Sequence, residues 1–90
     1  MNETEYLLVV LSEECAEVAQ RASKAIRFGL SEIQPGQQED NRRRLEGELA
    51  DLIAVAELLR LCIREEDKTA KIAKLKKFME YSRAMGILKD

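Results

Sequence analysis

Residues 11–29 read LSEECAEVAQRASKAIRFG. Apolar or small side chains recur there at Leu11, Cys15, Val18, Ala22 and Ile26, and Leu7 extends the series one turn upstream. Steps of three and four residues match the ~100° per residue of an α-helix, so these side chains form one apolar stripe. Residues 48–59, ELADLIAVAELL, lie in a second such pattern, with Leu45, Leu49, Leu52, Ala56, Leu59 and Ile63 on one face. No run of alternating apolar and polar residues suggests a strand. The expected fold class is all-α.

The ends of the helices follow from local signals. Asn2 followed by Glu5 makes a reciprocal cap, so the first helix is predicted from about Glu3 to Phe28, with Gly29 as its left-handed stop. Leu30 to Glu39 holds Ser31, Pro35 and Gly36 among polar residues and is predicted as a loop. A second helix is expected from about Asp40 to Glu65. Asp67 then caps a third, from Lys68 to about Met85, ended by Gly86. Ile72, Leu75, Phe78 and Met79 give the third helix an apolar face, whose first role would be packing against the other two. Residues 1–90 contain no repeat, linker or low-complexity segment and are read as a single domain. The second helix also carries Ile53, Val55, Leu58 and Leu61 away from its main stripe. A helix apolar over most of its circumference has to be covered on more than one side. A bundle of about three main helices is therefore expected to be completed by oligomerisation, at least as a homodimer.

Composition removes several functional classes. Charged residues make up 36% of the chain but leave a net charge of only −2, without the basic excess of a nucleic-acid-coating protein. Aromatic residues are 4% and tryptophan is absent, which argues against base-stacking platforms. Stable nucleic-acid binding is not expected. Histidine is absent too, and with it go imidazole general bases, Ser/His and Cys/His nucleophile pairs, and the commonest zinc ligand. Chemistry on this chain has to run on carboxylates, cations or hydroxyls. Cys15 and Cys62 each sit in an apolar helical pattern and are expected as small reduced core side chains. No basic n-region opens the chain and no apolar run approaches spanning length, so a cytoplasmic protein without membrane attachment is expected.

The carboxylates are where the pattern becomes specific. Glu14 flanks the first stripe and Glu17 follows one turn later; Glu48 and Asp51 hold the same angular positions beside the second. Residues spaced i, i+3 project from neighbouring turns of one face. If the stripes pack together, four carboxylates meet at one edge, and their mutual repulsion calls for a positive partner. An all-oxygen donor set selects a hard divalent ion, Mg²⁺ or Mn²⁺. Arg21 and Arg44 offer a metal-free way to balance the same charge. Further along the flank of the first helix stand Arg21, Lys24 and Arg27, a line of cations suited to a polyphosphate or, equally, to pairing with surface acids. On the third helix Lys74, Lys77 and Tyr81 lie on successive turns, where they either reach phosphates and a sugar or form a solvated face.

The two acidic motifs together, Glu13-Glu14-Cys15-Ala16-Glu17 and Glu48-Leu49-Ala50-Asp51, resemble the EExxE and ExxD signature of the MazG-like nucleotide pyrophosphohydrolases. The surrounding LSEECAEVAQRASKAIRFG and ELADLIAVAELL are similar to the small single-domain members, often phage-encoded. The resemblance runs through the lysine-rich third helix to KFMEYSRAMG, and the segment between the motifs is slightly longer than the family pattern. It implies an all-α MazG-like domain that hydrolyses a (deoxy)nucleoside triphosphate to the monophosphate and pyrophosphate. It implies two or more Mg²⁺ or Mn²⁺ ions on Glu14, Glu17, Glu48 and Asp51, with Glu13 orienting the attacking water, taking its proton or binding a further metal. It also implies a homodimer or homotetramer. A purine deoxynucleotide such as dGTP is the favoured substrate, with its base near Leu7, Leu8 and Leu11; other members take pyrimidines or damaged bases, and attack at the α- or β-phosphorus stays open. The rival expectations are a non-catalytic helical interaction module and a nucleic-acid accessory protein using the lysine-rich helix.

Overall fold

The Asn2 side chain accepts a hydrogen bond from the Glu5 N–H at 2.8 Å and so starts the first helix where the sequence places it. The computed structural model describes residues 1–89 and contains α1 (Glu3–Phe28), α2 (Asn41–Leu58) and α3 (Glu65–Ala84), with no strand among the described residues. Asp90, the last residue of the expected domain, lies outside them. The all-α, three-helix expectation holds. No helix among the described residues is long and apolar enough to cross a membrane.

α1 ends as predicted at Phe28. Gly29 takes φ 92° and ψ 150°, a conformation open to glycine but not the left-handed helical one expected, and its N–H still reaches the Ala25 carbonyl at 2.9 Å. Asp40 caps α2 by accepting from the Arg43 N–H at 2.9 Å. α2 then stops at Leu58, seven residues before the predicted Glu65. Arg60 turns left-handed at φ 59°, and its N–H bonds the Glu57 carbonyl while the Leu61 N–H bonds that of Ala56. This paired arrangement closes a helix in the Schellman manner, usually around glycine. An arginine in the glycine position gave no sequence signal. α3 starts at Glu65, not Lys68; Arg64 makes no side-chain cap, and Asp67, the predicted cap, lies inside the first turn with Glu65 and Glu66. Three acids there complement the positive end of the helix dipole. Gly86 ends α3 as predicted: at φ 78° it completes a second Schellman closure, with its N–H on the Arg83 carbonyl and the Ile87 N–H on that of Ser82.

α1 and α2 form a hairpin whose seam is lined by half-buried Leu7, Leu11, Val18 and Ala22 against Leu45, Leu52, Val55 and Ala56. The seam on α1 is rotated by about 50° from the centre of the predicted stripe, at ~100° per residue. Glu14 and Arg21 are thereby drawn towards the seam, and Cys15 and Ile26 turned away from it. Ile26 is 85% exposed. Cys15 and Cys62 are free as expected but exposed, so neither is the core side chain predicted.

The polar connection ties the hairpin together. Asn41, only 1% exposed, donates from Nδ2 to the Gly29 carbonyl at 2.8 Å and to Glu32 Oε1 at 3.1 Å. Its backbone N–H bonds the Glu32 carbonyl, and the Arg42 N–H that of Leu30. Arg44 Nη1 reaches Gln34 Oε1 at 2.7 Å. The end of α1, the loop and the first turn of α2 thus form one hydrogen-bonded unit.

α3 packs against neither α1 nor α2, which corrects the expectation that its apolar face meets them within the chain. The cause is the early stop of α2: the Arg60 turn sends the chain away before α3 begins. No apolar side chain among the described residues is fully buried. The radius of gyration is 16.5 Å, against about 12 Å for a compact domain of this length.

Replacing Asn41 with alanine strips donors from the Gly29 carbonyl and the Glu32 carboxylate, and is expected to cost ~1–3 kcal/mol in urea unfolding. Arg60→Gly removes the left-handed penalty at the α2 terminus and is expected to stabilise by ~0.5–1 kcal/mol; a loss of stability would refute this reading of the turn.

Candidate metal centre

Glu14 is presented by the middle of α1, and Glu48 and Asp51 by consecutive turns of α2. The register set at the Asn41 end brings them together: one carboxylate oxygen from each lies within 4.8 Å of the other two. Glu14 and Glu48 are half-buried and Asp51 is exposed. Of the four carboxylates expected to converge, three do. Glu17, one turn beyond Glu14, is exposed and outside the trio, and so is Glu13.

The electrostatics follow from that geometry. The Glu14 pKa is raised above its ordinary value of 4.5, first by partial burial and then by the negative charges of Asp51, Glu48, Glu17 and Glu13. Glu13 and Glu17 thus act on the site through charge while lying outside the trio. Arg21, two turns along α1, places Nε 3.9 Å from Glu48 Oε1, with the two side chains only 14% and 22% exposed. This pair is at the limit of ion-pair distance, and Arg21 Nη1 is buried without a hydrogen-bond partner. Among the described residues no cation pairs with Glu14 or Asp51. Arg44, the other arginine considered for balancing the cluster, is engaged with Gln34. Arginine neutralises the cluster in part.

The donor set suits a hard cation. Oxygens around Mg²⁺ at 2.0–2.1 Å stand about 3–4 Å from one another, and those of the trio lie within 4.8 Å of one another. A cation would also remove the repulsion that raises the Glu14 pKa.

The expected phosphate-binding residues divide. Arg21 and Lys24 are half-buried on α1, and the Arg27 guanidinium lies over the Phe28 ring at 5.1 Å from its centre. Lys74, Lys77 and Tyr81 are exposed on α3, which touches neither helix of the trio, and the Lys74 ammonium lies 5.7 Å from the Phe78 ring centre. Lys74 and Lys77, with Ala73, Lys76 and Glu80, border an open depression of about 520 Å³. All five residues belong to α3, so the protein wall of this depression comes from a single helix. Asn41 is the residue sequence reasoning missed. A poor helix former beside the Asp40 cap was its one signal.

No family model, curated protein or solved structure matches this chain.

In the metal-free protein, folding raises the Glu14 pKa, so between the ordinary and the raised value the folded chain binds more proton at Glu14 than the unfolded chain does. The contribution of Glu14 to stability therefore falls as pH rises from the ordinary carboxylate value through the raised one. Glu14→Gln should raise the melting temperature of the metal-free protein at neutral pH, with the gain shrinking as the pH falls through the raised value and gone once it is below the ordinary value of 4.5. A lower melting temperature at neutral pH would contradict the assigned repulsion.

Proposed function

We propose that this chain is a Mg²⁺- or Mn²⁺-dependent nucleoside triphosphate pyrophosphohydrolase of the MazG-like kind. The observation that carries the reading is the meeting of Glu14, Glu48 and Asp51 oxygens within 4.8 Å at a helix seam. An acidic trio alone is common on protein surfaces. Support beyond it comes from the partial burial of Glu14 and Glu48, the incomplete compensation by Arg21, and the resemblance of both motifs to the family signature.

Glu14, Glu48 and Asp51 hold the metal in this proposal, with Glu17 one turn away available to a second ion. When bound, such ions place positive charge against the phosphoryl oxygens and lower the pKa of water. Glu13, exposed and next to Glu14 in the chain, is the residue proposed to take a proton from the attacking water. Arg21 and Lys24 lie on the same helix and can hold departing phosphate oxygens by charge-assisted hydrogen bonds. Leu8 is exposed beside half-buried Leu7 and Leu11, leaving an apolar surface for a base. A purine deoxynucleotide such as dGTP is the proposed substrate, the cytoplasm the proposed location, and a homodimer or homotetramer the proposed assembly.

The unpartnered α3 favours one second reading, a helical interaction module whose acids and lysines are docking charges. Mn²⁺ titration calorimetry separates the two, since an interaction module lacks carboxylate-dependent metal affinity. The direct test is pyrophosphate release from the four dNTPs, dUTP and the four NTPs with either ion. Glu48→Ala and Asp51→Ala are each expected to lower turnover by more than ~100-fold, the upper range for residues that merely support metal ligands, with helical circular dichroism unchanged. Full activity in Glu48→Ala would sink the assignment.

A further inference from the structure

Three features of the chain converge on its missing packing. The first is area. The folded chain exposes 7423 Å², whereas a monomer of 10.3 kDa is expected to expose about 5,400 Å². The excess is about 2,000 Å² per chain, or ~4,000 Å² for two chains, which falls in the range buried by obligate dimers. The second is the direction of the chain. The Schellman closure at Ala56–Leu61, with Arg60 at φ 59° and Arg64 extended at ψ 135°, carries α3 away from its own hairpin.

The third is charge. Beyond its acidic first turn, α3 carries five lysines and one arginine against the single Glu80. α1 and α2 together carry nine acids against six bases, and the acidic trio lies between them. Each surface also carries apolar side chains with nothing over them: Ile72 and Phe78 are each 53% exposed on α3, and Leu8, Val9, Leu49 and Ile53 are exposed on the hairpin.

We infer that α3 is exchanged between two copies of this chain, each copy seating its third helix on the α1–α2 hairpin of the other. The same contact made twice about a two-fold axis closes the assembly. It covers apolar faces on both elements and sets the lysines of α3 against the acidic edge of the hairpin. On the pyrophosphohydrolase reading, and resting on it for this clause alone, Lys74 and Lys77 then reach the triphosphate from the second chain. Their own chain holds them away from the trio, so the site is incomplete in one copy.

Sedimentation of the full chain, followed by carbodiimide coupling of lysines to adjacent carboxylates, tests the exchange without any activity measurement. The expected result is a mass of at least two chains at micromolar concentration. Links from Lys74 or Lys77 to carboxylates of α1 or α2 are expected in peptides from the two-chain band of a denaturing gel and not from the one-chain band. A 10.3 kDa species throughout, such links in the one-chain band, or a two-chain band without them would each overturn the exchange. As a second readout, K74E/K77E should weaken association at least tenfold at low salt, and by less at high salt where charge is screened. Unchanged association would remove the role assigned to charge. An exchanged dimer without nucleotide turnover would leave this inference standing and remove only the proposed activity.

Discussion

The side chain of Asn41 joins the end of α1, the connecting loop and the start of α2, and the rest of the hairpin depends on that junction. Two helices joined by a flexible polar loop can slide along one another, and a slip of one turn moves ~5.4 Å. That distance exceeds the 4.8 Å spread of the Glu14, Glu48 and Asp51 oxygens. The carboxylates meet only while the register holds. In a chain with no fully buried apolar side chain among its described residues, a buried amide with two side-chain hydrogen bonds contributes specificity that apolar packing does not supply.

The register gathers like charges, and the hairpin tolerates this because compensation is local and incomplete. Arg21 approaches Glu48 from the same seam, at the outer limit of an ion pair, while Asp51 faces solvent. Glu14 is left with the largest burden, since it is partly buried and four acids act on it at once. A structural salt-bridge network would bring a cation to each carboxylate. A site that exchanges a divalent ion benefits from leaving some charge unbalanced, because that deficit supplies affinity when the ion arrives. The partial balance at Arg21 is consistent with that second arrangement.

Much of this was legible in the residues. The span of α1, the Asn2 cap, the Gly86 terminus of α3 and the convergence of acids from two helices follow from capping chemistry and helical periodicity. What escaped has physical causes. Arg60 closes α2 in a conformation that glycine usually supplies, so pattern alone extended the helix by seven residues. The seam of α1 is centred nearer Glu14 than the apolar residues imply, with Arg21 and Lys24 half-buried and Cys15 and Ile26 left outside; long charged side chains can be half-buried in this way, which an apolar pattern does not register. Glu17 stays beyond the trio although it shares the spacing of Asp51, since angular position says nothing about how far along the seam the opposing helix places its own acids. The solitude of α3 could not be read at all: an apolar face announces that it will be covered, not by which chain.

That last point joins assembly to chemistry. The hairpin holds acids at a seam with part of their charge uncompensated, and α3 holds most of the lysines with none of the packing. A chain built this way keeps its acidic trio and most of its lysines on elements that do not touch within one copy; on the proposed reading these are the two halves of one phosphate site. If both halves serve one substrate, dilution to the monomer removes phosphate binding and the cover over the metal together, and activity per chain then varies with concentration. If α3 serves only to complete the packing, the metal binding proposed for the acidic trio persists in any assembly that preserves the hairpin. Arg21 and Lys24 would then be the nearer cations for the phosphates. The arrangement therefore ties the role of the lysines to the assembly and that of the acids to the hairpin, and the two roles can be separated by measurement because they reside on different helices.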